Sequence, residues 1–137
     1  MKVDLDDLVP IMSEAFDEGK TSSINVHGTS MRPIFNDSTV VELKRDYDIK
    51  KGDIVFYKRD DGSYILHRVR RVRKDSYDIV GDHQYHIEHD VKKSAMIAKV
   101  VSYTNKNKTC YLKGFKYAVY KRLVRIGIIR YVFSKIY

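Results

Sequence analysis

The sequence predicts a mainly β protein with a short N-terminal helix and a basic, helical C-terminal tail. Three observations support this: an amphipathic pattern in residues 1–20, runs rich in Val, Ile and Tyr between polar turns in 21–112, and helical spacing again in 113–137. The chain has 137 residues, 43% of them hydrophobic, which suits one globular domain with a modest core. We therefore predict an N-terminal helix (1–20), a β domain (21–112) and a basic amphipathic tail (113–137).

The N-terminal segment has apolar residues at helical spacing: Leu5, Leu8, Ile11, Met12, Ala15 and Phe16. Acidic residues near its start favour the helix dipole, and Gly19 is a plausible stop. Pro10 lies inside the pattern, so it either kinks the helix or moves its start to about Leu8. The first residues lack the basic region and unbroken apolar core of a signal peptide, so we expect no export signal.

The β domain is predicted from short apolar runs separated by turn residues. Six strands are expected, at residues 23–27, 39–43, 53–58, 64–72, 76–80 and 96–104. The Asp60-Asp61-Gly62 segment predicts a hairpin, because Asp and Gly tolerate the positive φ that tight turns require.

The tail carries most of the net charge of +8, since residues 111–137 contain seven Lys and Arg and no acid. Its apolar residues form two helical stripes, Phe115, Val119, Leu123 and Ile126, then Ile129, Val132, Phe133 and Ile136. Lys121, Arg122 and Arg125 are expected opposite the first stripe. Two interpretations stay open: a helix packed on the β domain, or residues 114–137 lying on an anionic membrane surface. No stretch is long and apolar enough to span a bilayer, so we expect a peripheral membrane protein or a cytoplasmic one.

Several classes of protein do not fit this composition. The single cysteine, Cys110, cannot form an internal disulfide and has no ligand spacing around it. His83, His86 and His89 alternate with acids, but a polar loop explains them better than a metal site, so we expect neither metal nor cofactor. The basic runs lack a recognition helix or a stacking platform, so no nucleic-acid partner is expected.

The segment His27-Gly28-Thr29-Ser30-Met31-Arg32-Pro33 is the most informative for chemistry. It places Ser30 between a flexible glycine and a proline-stiffened turn, where a rigid serine with nearby backbone N–H groups suits acyl transfer. Serine needs a general base, and His67, inside a predicted strand, is the candidate. An imidazole with a pKa near the usual value of about 6.5 would take up the proton with little tuning, so activity should rise between pH 6 and 7.

Four motifs, in order, resemble the boxes of type I signal peptidases in the LexA/signal peptidase superfamily: Gly28-x-Ser30-Met31-x-Pro33, Gly52-Asp53-Ile54-Val55, His67-Arg68-Val69 and Gly81-Asp82. The resemblance covers about residues 22–104, and histidine at position 67 is similar to the histidine-base branch. It implies a small β-barrel and a serine endopeptidase that cleaves a signal or leader peptide. Ser30 would then be the nucleophile and His67 the base.

The resemblance also implies supporting roles around this pair. Asp82 would orient His67, with Glu88 and Asp90 as alternatives, and the Ser30 backbone N–H would stabilise the oxyanion. A peptide or preprotein substrate would bind by strand addition, against a groove lined by Met31, Pro33, Ile34 and Phe35.

Two other functions stay open for the same fold. One is a non-catalytic peptide-binding module. The other is a self-cleaving protein similar to LexA, although those proteins use a lysine base and carry a DNA-binding helix-turn-helix upstream, whereas only about 20 residues precede this β domain.

Overall fold

The computed structural model describes residues 4–124 and 126–136, without the side chains of Phe115, Ile128, Phe133, Ser134 and Ile136. The described chain contains three α-helices: α1 (Leu5–Asp17), α2 (Phe115–Val124) and α3 (Gly127–Ile136). Eight strands lie between α1 and α2: β1 (Ser22–Asn25), β2 (Val40–Lys44), β3 (Ile54–Lys58), β4 (Tyr64–Val72), β5 (Ser76–Val80), β6 (Glu88–Lys92), β7 (Met96–Asn105) and β8 (Lys108–Tyr111). One 3₁₀ turn, Lys93–Ala95, joins β6 to β7.

The strands form one antiparallel sheet in the order β1-β2-β7-β3-β4-β5-β6, with β8 also paired to β7. This confirms the mainly β fold with short helices. The sheet is not closed, however, so the expected barrel is corrected to an open sheet whose path ends at β1 and β6. Helix α1 covers one apolar face of the sheet, where Met12 and Phe16 are buried in the core.

The six predicted strands are all present, and each of their ends lies within two residues of the prediction. The sequence did not predict β6 or β8. Both pair along one edge only and contain no fully buried residue, so neither has the alternating apolar pattern that identifies a half-buried strand.

Helix α1 begins at Leu5, before Pro10, so the later start considered from the sequence is wrong. The Asp4 side chain caps it by accepting a hydrogen bond from the Asp6 backbone N–H at 3.0 Å. Ile11, assigned to the apolar face, is instead 65% exposed, because Met12 and Phe16 provide the buried face.

The core has two parts, one on each side of β3. Ile54 and Phe56 belong to the larger cluster, which lies beneath α1, and Val55 and Tyr57 belong to the smaller one. Side chains alternate along a strand, so β3 contributes to both clusters and is buried throughout apart from its last residue. The same alternation on β4, the neighbour of β3, decides which way each candidate site residue faces.

The tail forms two helices, and α2 packs on the β domain through Tyr117, Tyr120 and Val124. The predicted first stripe is therefore not the buried face, because Val119 and Leu123 are exposed. Arg125 and the side chains of Phe115, Phe133 and Ile136, also part of the predicted tail pattern, lie outside the described residues. None of the helices in the described residues has the length and hydropathy that crossing a bilayer requires.

Candidate active site

The turn that carries Ser30 follows β1 and is fixed at both ends. Met31 and Phe35 are buried in the larger core cluster, and the Phe35 N–H donates to the Met31 carbonyl at 3.0 Å. Gly28 adopts φ of 86°, and its N–H donates to the Asp37 carboxylate at 3.1 Å. Ser30 itself is half-buried on this turn. The local sequence thus anchors the turn by apolar side chains and leaves the serine near the surface.

The turn after β5 supports Ser30 from the other side. The His83 N–H donates to the Ser30 carbonyl at 2.9 Å, and the Asp82 N–H contacts the Met31 sulfur at 3.4 Å. A Cβ atom built at Gly81 would lie 2.4 Å from the Ser30 carbonyl oxygen, far inside van der Waals contact. Only glycine fits this approach, so the Gly-Asp motif and the serine motif are in direct backbone contact.

A buried ion pair connects the Gly81-Asp82 turn to the other two motifs, those that contain Gly52 and Arg68. Arg68 donates from Nε and Nη2 to the two oxygens of Asp82 at 2.7 and 2.9 Å, and the two side chains are 2% and 1% exposed. Its Nη1 donates to the Gly52 carbonyl at 2.8 Å. Burial alone would lower the pKa of Arg68, but the Asp82 carboxylate outweighs it and raises that pKa, so the guanidinium stays charged.

Helix α2 completes the shell around this pair. The Tyr117 hydroxyl accepts from Arg68 at 2.8 Å, and the Tyr120 hydroxyl donates to Asp82 at 2.8 Å. Both rings lie 5.6 Å from the guanidinium carbon, at cation–π distance. Burial and the nearby carboxylate raise the pKa of Tyr120, so it remains a donor. The sequence predicts no role for these tyrosines. Their spacing of three along a helix places them on one face and is the signal that could have identified them.

His67 lies next to Arg68 on β4, opposite Val55 of β3. Its neighbours at alternate positions, Ile65 and Val69, pack in the smaller core cluster, so strand alternation places His67 on the opposite side of β4 from Arg68. The residue is 4% exposed. Burial, and then the positive charge of Arg59, lower the pKa of His67 to about 4. The expected value near 6–7 is thus replaced by a lower one, and the ring is neutral throughout the physiological range.

The three candidate orienting acids bind other groups. Asp82 is bonded to Arg68 and Tyr120, as described above. Glu88 accepts from the Tyr57 hydroxyl at 2.8 Å and from Arg59 Nε at 2.9 Å. Asp90 accepts from the Ser76 hydroxyl at 3.2 Å. Within the described residues, none of them hydrogen-bonds to His67, so Asp82 is a structural partner of Arg68 and the orienting acid stays a prediction.

The predicted substrate groove is only partly compatible with the structure. Met31 and Phe35 are 2% and 1% exposed, so they anchor the turn and are not available to a substrate. Pro33 and Ile34 are half-buried and keep some accessible surface. For metal binding, no three His, Cys, Asp or Glu side chains in residues 4–124 and 126–136 come close enough to hold an ion.

An open antiparallel sheet in which a serine turn rests against a Gly-Asp turn defines the class of the chain, a mainly β protein with short helices. A family model described as Peptidase S24-like matches residues 2–101, and the chain belongs to that family. Comparisons with curated proteins and with solved structures find no match to this chain. The match ends before the tail, so Tyr117 and Tyr120 lie outside the part that defines the family.

Proposed function

We propose that this protein is a serine endopeptidase that cleaves a signal or leader peptide, with Ser30 as nucleophile and His67 as general base. The observation that carries the proposal is the meeting of all four sequence motifs in one buried network. Arg68 binds both Asp82 and the Gly52 carbonyl, and the turn containing Asp82 holds the Ser30 carbonyl. A nucleophile held from both sides by backbone contacts is suited to attack in a fixed geometry.

In the proposed reaction, Ser30 Oγ attacks the peptide carbonyl carbon and its proton passes to the His67 ring. The Ser30 N–H has no hydrogen-bond acceptor among the described residues, which suits a donor reserved for the oxyanion. The protonated ring then gives its proton to the leaving amine, and an acyl-enzyme remains on Ser30. A water molecule, deprotonated by the same ring, hydrolyses the ester and regenerates the serine hydroxyl.

The edge of β1 supports substrate binding by strand addition. Among the described strands, β1 pairs only with β2, and its last residue, Asn25, lies five positions before Ser30. A peptide that hydrogen-bonds to this edge would run toward the serine turn, past Pro33 and Ile34, with its main chain extended.

One observation favours the alternative of a non-catalytic peptide-binding module. Strand alternation places His67 on the side of β4 away from Arg68, whereas Arg68 is the side chain that reaches the turn supporting Ser30. A peptide could still bind along β1 in a protein whose serine and histidine never exchange a proton.

A fluorophosphonate probe separates the two functions, because it labels only an activated serine. Wild type should be labelled, Ser30→Ala should not, and His67→Gln should be labelled at least ~100-fold more slowly. Ser38→Ala is the matched serine control on the same loop, and it should be labelled like wild type. His83→Ala is the matched histidine control, because the His83 backbone touches Ser30 and its Nε2 is buried without a partner in the described residues.

The pH profile adds a second readout. A base with a pKa of about 4 is neutral above pH 5, so labelling should be nearly constant from pH 6 to 8 and fall with a midpoint near 4. Labelling of Ser30→Ala, or loss of labelling in His83→Ala but not in His67→Gln, would contradict the proposed roles. A folded wild type that binds peptides but is never labelled would support the non-catalytic module. Release of fragments from the protein alone, at a rate independent of its concentration, would indicate self-cleavage.

A further inference from the structure

Helix α2 has two faces of different character. One face is committed to the β domain: Tyr117 and Tyr120 bind the Arg68–Asp82 pair, and Val124 is 1% exposed. The stem of Lys121 lies on the same side, since a Cβ built at Gly52 would be 2.6 Å from its Cδ atom. This face provides the contacts that hold α2 on the β domain.

The opposite face of α2 is apolar and exposed. Val119 and Leu123, one helical turn apart, are each 43% exposed, and Ile126, just after the helix, is 50% exposed. We call these three residues the outer tail face. Tyr131 and Val132 of α3 are also exposed. Of the ten large apolar side chains that are exposed in the described residues, five therefore lie between positions 119 and 132, which is a local concentration and not ordinary surface scatter.

Positive charge surrounds the outer tail face. Lys116 and Arg122 are exposed on α2, and residues 111–137 contain seven bases and no acid. In the β domain beneath α2, Asp82 and Asp53 are paired with Arg68 and Lys99. Within the described residues, no ion pair involves Lys116 or Arg122, so these two charges stay available at the surface.

We propose that the outer tail face docks on an anionic lipid bilayer, with α2 lying parallel to the surface. Apolar side chains of this size enter the boundary between headgroups and acyl chains, while Lys and Arg beside them contact anionic headgroups. A second copy of this chain is a poor occupant, because two faces with the same basic border would repel each other across a symmetric contact. The proposal does not depend on the peptidase activity.

Vesicle sedimentation with the full-length protein tests the apolar contribution. Wild type should bind vesicles of phosphatidylglycerol and phosphatidylcholine, and should bind phosphatidylcholine alone at least ~10-fold more weakly. The double variant Val119→Asp/Leu123→Asp should lose at least ~10-fold in affinity for the mixed vesicles. Its matched control is Tyr47→Asp/Val72→Asp, which adds the same charge at two apolar side chains of the β domain that are 88% and 42% exposed. That control should bind like wild type.

A charge-reversal pair tests the electrostatic contribution separately. Lys116→Glu/Arg122→Glu should bind at least ~10-fold more weakly, since each base near an anionic surface contributes roughly fivefold. Lys74→Glu/Lys108→Glu changes the net charge equally at exposed lysines of the β domain, and it should bind almost as wild type does. All four variants are on exposed positions, so circular dichroism should show unchanged folding.

Equal vesicle binding by tail variants and their controls would overturn the proposal. So would a wild type that does not bind mixed vesicles at all. Size-exclusion chromatography tests whether a second copy of the chain binds this face instead. A wild-type dimer that Val119→Asp/Leu123→Asp converts to a monomer would show that the outer tail face is an interface between copies.

Discussion

Arg68 and His67 are neighbours on β4, both are buried, and they face opposite sides of the sheet. Arg68 binds two oxygens of Asp82, the Gly52 carbonyl and the Tyr117 hydroxyl, and it lies against two aromatic rings. His67 has no side-chain hydrogen bond to any described residue, and its surroundings are mostly apolar. Arg68 thus forms four side-chain hydrogen bonds, whereas His67 forms none with the described residues.

This difference indicates that Arg68 supports the structure, whereas His67 is the residue that can react. The Arg68 guanidinium uses four of its five N–H donors to join β4 to three other segments of the chain, and it has no lone pair with which to accept a proton. A desolvated imidazole stays neutral, because burial disfavours its charged form. It is also the group that has a lone pair to offer.

Removing Arg68 should cause the largest loss of stability. Arg68→Ala leaves the Asp82 carboxylate buried with only Tyr120 as a side-chain donor, which should lower the free energy of unfolding by about 3–5 kcal/mol. Urea denaturation measures this change in the free energy of unfolding. Adding Asp82→Ala should recover part of the loss, because the unpaired charge is removed with its partner. Lys20→Ala breaks an exposed surface pair with Glu18 and should cost no more than about 1 kcal/mol. Similar values for Arg68→Ala and Lys20→Ala would show that the buried pair is not a support.

His67 should make the fold sensitive to acid. Its pKa of about 4 in the folded chain lies below the unfolded value of about 6.5, so protonation favours the unfolded state. Its contribution to stability is complete above about pH 6.5 and is lost as the pH falls toward 4. Between pH 7.5 and 4.5 the free energy of unfolding should fall by about 2–3 kcal/mol more in wild type than in His67→Leu. Parallel pH curves for the two proteins would show that His67 is not a desolvated base.

Single hydroxyl groups of α2 should have the smallest effect. Tyr120→Phe removes one hydrogen bond to Asp82 while the ring remains over Arg68, so it should cost about 1–2 kcal/mol. Tyr111→Phe, on an exposed tyrosine, should change the free energy of unfolding by less than about 0.5 kcal/mol. A neutral Tyr120→Phe would mean that α2 contributes packing and no polar support to the pair.

The sequence predicted most of the fold because apolar periodicity is a local signal. The ends of β4 and β5 were predicted to the residue, since both are bounded by turn residues. Edge strand β6 was missed, because a strand with charged residues on both sides resembles a loop when its partner is unknown. Closure of the sheet is set by which strands pair across long distances in sequence, and no local pattern reports that.

The sequence predicted which motifs belong to the candidate site, but it did not predict which side chains bind each other there. Ser30, Gly81 and Asp82 were recognised, and their segments do meet. The resemblance implies Asp82, Glu88 or Asp90 as the acid that orients His67, and the structure pairs Asp82 with Arg68, the residue adjacent to His67 on the opposite face. Two neighbouring polar residues on a buried strand look equally available in the sequence, and only the three-dimensional placement of Asp82 decides between them.

The packing of α2 on Arg68 and Asp82 has a mechanical consequence. Moving α2 away from the β domain would remove two hydroxyl hydrogen bonds and two aromatic rings from the buried Arg68–Asp82 pair. The helix is therefore rigidly attached to the β domain and is not a flexible linker. Anything that touches the outer tail face is then held one helix diameter, about 10–12 Å, from the Arg68–Asp82 pair. The orientation of the serine turn relative to that surface would be fixed by the fold itself.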